Sequence, residues 1–66
     1  MDKRKLIPGR KYLHHRKITI EGRQMEAERW IRCLEVTDTG AAFRHEFEVF
    51  DLTDQKIEKE LIEEWK

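Results

Sequence analysis

The stretch Gln24–Val36, QMEAERWIRCLEV, constrains the chain more than any other. Turn signals stand on both sides of it, Glu21-Gly22 before and Thr37-Asp38-Thr39-Gly40 after. Its second half, WIRCLEV, favours β structure and is apolar on both sides. A strand bounded by two tight turns has a partner on each edge, so this stretch reads as the central strand of an antiparallel sheet. A helical alternative exists, because Ala27, Trp30, Ile31 and Leu34 fall at helical spacing. It would leave only two strands, and an isolated pair is marginal.

The first turn favours the strand. A two-residue hairpin at Glu21-Gly22 folds Arg10–Ile20 back along it. Ile20 then faces Arg23, Ile18 faces Met25, Lys17 faces Glu26, His15 faces Glu28, Leu13 faces Trp30 and Tyr12 faces Ile31. Charge meets charge and apolar meets apolar without adjustment, and a slip of one residue would reverse the faces. Glutamate suits the first turn position poorly, because that turn requires φ > 0 there.

After the second turn, with Gly40 in the left-handed position, Ala41–His45 reads as a third strand. The expected register sets Asp38 against Ala41, Glu35 against Arg44, Val36 against Phe43 and Leu34 against His45. Phe47, Val49 and Phe50 supply a fourth short strand or a tight continuation of the third. Thr53 then caps a helix over residues 53–66, with Asp54 at its positive end and Leu52 and Ile57 spaced as a hydrophobic staple. Ile57, Leu61, Ile62 and Trp65 form its apolar stripe. At the other end, residues 1–5 read as a flexible basic tail, followed by a turn at Pro8-Gly9. The whole is one domain, 1–66: mainly β, a small antiparallel barrel-like sheet of four to five strands with a C-terminal α-helix.

Charged residues make up 42% of the chain, against about 25% in ordinary globular domains, so the core is small. Its expected members are Tyr12, Ile18, Met25, Ile31, Cys33, Leu34, Val36, Phe43, Phe47, Val49, Ile57 and Leu61, with Trp30 and Trp65 partly exposed. Formal net charge is zero, but it is unevenly spread. Residues 1–17 hold seven basic side chains against Asp2 alone, and residues 46–66 hold eight acidic against three basic.

The Pro-Gly lead-in, two long strands joined by a tight turn, a short third strand, an apolar-aromatic run and a terminal helical segment resemble a small Src-homology-type barrel. Short bacterial and phage proteins of unknown function are often built this way. The resemblance implies a fold and no activity, because such barrels host many binding roles.

The chemistry-bearing residues are few. His14, His15, His45 and Cys33 lack the spacing of a zinc site, and the register does not bring them together, so no metal is expected. There is no serine and no glycine-rich phosphate loop, and a lone Cys33 in a core strand is ordinarily inert. No catalytic residue and no cofactor are expected, and the chain reads as a non-enzyme. One cysteine, no leader and no apolar run of membrane-spanning length suggest a cytoplasmic protein without membrane contact.

Two binding roles remain. One is a protein–protein or self-association module, such as a homodimer pairing basic strand with acidic helix. The other is nucleic-acid binding by the basic N-terminal strand through Arg10, Lys11, Tyr12, His14, Arg16 and Lys17.

Overall fold

A computed structural model describes residues 1–65. The elements are a short 3₁₀ turn at Lys3–Lys5, strands β1 (Lys11–Ile20), β2 (Arg23–Val36), β3 (Gly40–His45) and β4 (Glu48–Thr53), helix α1 (Asp54–Glu60) and strand β5 (Leu61–Glu64). They form one five-stranded antiparallel sheet in the order β4-β3-β2-β1-β5. Gln24–Val36 lies in the central strand, and the helical alternative is set aside.

The β1–β2 register is the one the turn dictates, from Ile20↔Arg23 to Tyr12↔Ile31. Glu21 (φ 51°) and Gly22 (φ 78°) both take positive φ, as a hairpin turn matched to strand twist requires. The glutamate accepts the strained position.

The second hairpin differs from expectation. Thr37 N–H donates to the Gly40 carbonyl at 2.9 Å, and Gly40 N–H donates to Thr37 Oγ1 at 3.1 Å. The loop is therefore Asp38-Thr39, and Val36 faces Ala41. A bulge at Leu34 then sets Cys33 against Phe43 and Arg32 against Arg44, which keeps Cys33 and Phe43 on the buried face. Gly40 does not hold a left-handed position. Its role is close approach: a Cβ there would lie 1.8 Å from the Leu52 carbonyl oxygen of β4.

The sheet is curled but not closed, which corrects the barrel expectation. β4 and β5 are its two edges and do not pair with each other. Curvature still brings β1 and β4 together across the concave side, where the rings of His14 and Phe50 stack 6.1 Å apart. The core lies in this concavity: Leu6, Tyr12, Ile31, Cys33, Ala41, Phe43, Leu52, Ile57 and Leu61. Met25, Leu34, Val36, Phe47 and Val49 are exposed, contrary to expectation, and Phe47 is 96% exposed at the β3–β4 turn. Ile18 is only half-buried. Strand alternation and the bulge turn most of these outward, and Met25 lies beyond the reach of β3. Trp30 is half-buried and Trp65 exposed, as expected.

The helix is shorter than the sequence suggests. Thr53 caps it, its Oγ1 accepting from Lys56 N–H, and Leu52 and Ile57 are both buried. It ends at Glu60, and Leu61–Glu64 pairs instead with the edge of β1, Leu61 facing His14 and Glu64 facing Tyr12. An edge strand offers unpaired backbone groups, and a strand satisfies them where a continuing helix cannot. In the strand Leu61 is buried and Ile62 faces solvent.

Residues 1–5 are not a flexible tail. The Met1 ammonium donates to the carbonyls of Ile57, Glu58 and Leu61 at 3.0–3.2 Å, satisfying groups that a helix C-terminus leaves unpaired. Lys3 Nζ donates to the Thr37 and Asp38 carbonyls and pairs with Asp54 at 3.0 Å. Asp2, hydrogen-bonded by Arg4, is lowered to a pKa of about 2.

Candidate nucleic-acid interface

Strand alternation divides the six basic-strand residues between two faces. Tyr12, His14 and Arg16 point into the concavity. Tyr12 is 1% exposed, and its hydroxyl accepts from Ile7 N–H at 2.8 Å. His14 is 2% exposed, with Nε2 2.7 Å from Glu60 Oε1. Arg16 is half-buried. Lys11 and Lys17 point to the open face, and exposed Arg10 pairs with Glu64 at 2.8 Å. Glu64 raises the Arg10 guanidinium pKa further. The six do not form one stripe, and Tyr12 and His14 are enclosed.

The open face assembles a different set. Trp30 on β2 and Trp65, just past β5, meet edge to face, with ring centroids 4.9 Å apart at 88°. Lys11 Nζ lies 5.8 Å from the Trp65 ring, within cation–π range. Arg32, on the same face of β2 as Trp30, is held by its Nη1 hydrogen bond to the Gly9 carbonyl at 2.6 Å. Arg44, opposite Arg32, is held by Nε donation to the Glu46 carbonyl at 2.8 Å.

Two shallow depressions mark the platform. One, about 380 Å³, is lined by Lys11, Trp30, Arg32, Leu34, Arg44, His45 and Glu46. The other, about 480 Å³, is lined by Gly9, Arg10, Lys11, Arg32 and Trp65. Among the described residues, no carboxylate lies within ion-pair distance of Lys11, Arg32 or Arg44.

Sequence reasoning missed Trp30, Trp65, Arg32 and Arg44 as a site. The first hairpin register did place Lys11 and Trp30 on one face and was the signal available for that half. Arg44 depended on the bulge, and Trp65 on the change from helix to strand. Cys33 is buried, and burial raises its thiol pKa, which disfavours the thiolate.

Among the described residues, no group of three or more His, Cys, Asp or Glu is placed to hold a metal ion, and no helix is long and apolar enough to cross a membrane. Comparison with protein families, curated proteins and solved structures finds no match.

Proposed function

We propose that the chain is a non-enzymatic binding module whose open sheet face takes single-stranded nucleic acid. The observation that carries this reading is the Trp30–Trp65 pair flanked by Lys11, Arg32 and Arg44. Bases stack on exposed aromatic rings at about 1–3 kcal/mol each, and cations beside them track the phosphates. Arginines already tethered to backbone carbonyls lose less freedom on binding. The chain is neutral overall, so support comes from the local distribution of charge. The lone buried Cys33 supports a reducing compartment, the cytoplasm. The resemblance to bacterial and phage barrels supplies context only, since that fold hosts many binding roles.

The test uses intrinsic fluorescence, because Trp30 and Trp65 are the only tryptophans. Titration with oligo(dT) and oligo(U) at low salt should quench it. Three phosphate contacts give log K against log salt a slope of about −2. Replacing both Arg32 and Arg44 by Gln should reduce that slope by about 1.4, and Trp65→Ala should weaken binding about tenfold or more. Unquenched fluorescence with both oligonucleotides at low salt would sink the reading.

One observation favours a second reading, self-association. The hairpin beyond His15 and Glu28 exposes Ile20 (50%) and Met25 (51%) beside Arg23. A second copy, with its acidic Glu58 and Glu63, offers complementary charge to that tip. Sedimentation of the chain and of Met25→Asp separates the cases. A monomer at high concentration and low salt excludes self-association.

A further inference from the structure

Three buried side-chain nitrogens have no hydrogen-bond partner among the described residues: His14 Nδ1, Arg16 Nε and Arg29 Nε. All three residues line one groove of about 340 Å³ on the concave side. The register explains the convergence. His14 and Arg16 are alternate residues on one face of β1, and Arg29 is the direct cross-strand partner of His14. Phe50 closes the side opposite, with the Arg29 guanidinium 4.7 Å from its ring and His14 stacked on it. Buried polar nitrogens are rarely left unpaired, and having all three on residues of one groove marks a place built for a group that both accepts and donates.

From this geometry we infer that the groove binds the phosphate group of a small phosphomonoester. Two guanidinium Nε groups donate to phosphate oxygens, an arrangement suited to tetrahedral oxyanions. His14 selects among anions. Its Nε2 faces the Glu60 carboxylate, and an ionised carboxylate only accepts, so Nε2 carries the proton and, in that tautomer, Nδ1 is an acceptor. A singly protonated phosphate gives its P–O–H to Nδ1 while its other oxygens accept from the arginines. Sulfate has no such proton at neutral pH.

The surrounding charges fit a monoanion better than a dianion. Arg16, Arg29 and Lys56 face the groove, balanced by Glu48, Asp51 and Glu60, with Glu48 3.7 Å from Arg29 Nη1. The groove is larger than one phosphate group, which leaves room for the organic part of an ester. It lies on the opposite side of the sheet from Trp30 and Trp65, so the inference stands apart from the open-face reading.

The experiment is an NMR titration of the full chain, observing the His14 ring nitrogens and the Arg16 and Arg29 Nε–H signals. The probes are inorganic phosphate, phenyl phosphate and sulfate. Both phosphates should shift all three sites along one saturable curve, with phenyl phosphate the tighter per monoanion, and sulfate should bind more weakly at neutral pH. The pair R16Q/R29Q should abolish the shifts. Lys56→Gln, at an exposed lining position, should weaken them several-fold if the pair fails to fold. No saturable shift with either phosphate, sulfate binding as tightly as phosphate at neutral pH, or shifts unchanged in R16Q/R29Q or Lys56→Gln would overturn the site. Phenyl phosphate no tighter than inorganic phosphate, each affinity referred to the concentration of its monoanion, would overturn the ester and assign free phosphate.

Discussion

The β1–β2 hairpin is one continuous ladder with two very different halves. At its base, Tyr12 and His14 pair with β5, and Arg32–Val36 pair with β3. There Tyr12, Ile31 and Cys33 are almost wholly buried. In the arm, from His15 to Glu28, each strand pairs only with the other, and Ile20 and Met25 face solvent. The local chemistry is alike in both halves: alternating side chains in a register set by one turn. What differs is tertiary support. An isolated two-stranded ladder is marginal, so the arm holds because the base anchors it.

The largest expected effect lies in the base. Ile31, 0% exposed, sits against Tyr12 across the ladder. Ile31→Ala should lower global stability by about 2–5 kcal/mol, a large part of what a small domain possesses. Base amides should exchange faster, and Cys33 should become accessible to a thiol reagent at a higher rate. Arm amides, which open locally, should keep their exchange rates if the native fold persists. An unchanged thermal midpoint would remove Ile31 from the core, and equal acceleration in base and arm would dissolve the distinction between them.

Gly40→Ala should follow, at about 1–3 kcal/mol as for an overpacked contact. The added methyl meets the Leu52 carbonyl oxygen, a backbone atom that moves only if β4 moves. The loss should concentrate in the β3–β4 ladder, seen as faster exchange of its amides. A fully stable variant would show that β4 is held loosely enough to shift.

These two positions also show what the sequence makes legible. The first hairpin is readable because a two-residue turn and side-chain complementarity agree on one register. The second is not, because its register depends on Thr37 Oγ1 bonding back to Gly40 N–H and on the bulge at Leu34. The helix start is readable from Thr53, a local cap. Its end at Glu60 is not, because a stripe through Leu61 suits helix and strand alike, and the choice belongs to the unpaired edge of β1. The open-face platform inherits both uncertainties: Lys11 and Trp30 follow from the first hairpin, Arg44 and Trp65 from the features that local pattern leaves open. His14 shows the same limit. Alternation puts it on the face of Tyr12, but only the folded sheet brings Glu60 and Phe50 to it.

Within the arm, the turn should respond next. Glu21 holds a positive φ of 51°, a conformation that costs a side chain of this kind roughly 1 kcal/mol and suits asparagine. Glu21→Asn should raise stability by up to about 1 kcal/mol, a midpoint increase of about 4–8 °C at most for a domain this small. Arm amides should exchange more slowly by the same free energy. A gain in the midpoint without slower exchange in the arm would place the effect in the unfolded chain instead.

The smallest effect is expected at Ile20, the last β1 residue before the turn and half exposed. Ile20→Thr keeps the β-branch that a strand favours and removes little buried surface, so a monomer should lose no more than about 0.5 kcal/mol. The measurement is a thermal midpoint at two protein concentrations well apart. A small, concentration-independent change confirms that the arm stands alone. A larger loss that grows with concentration would mean that Ile20 is covered by a second copy, and the arm would then draw its support from a neighbour as the base does from its own strands.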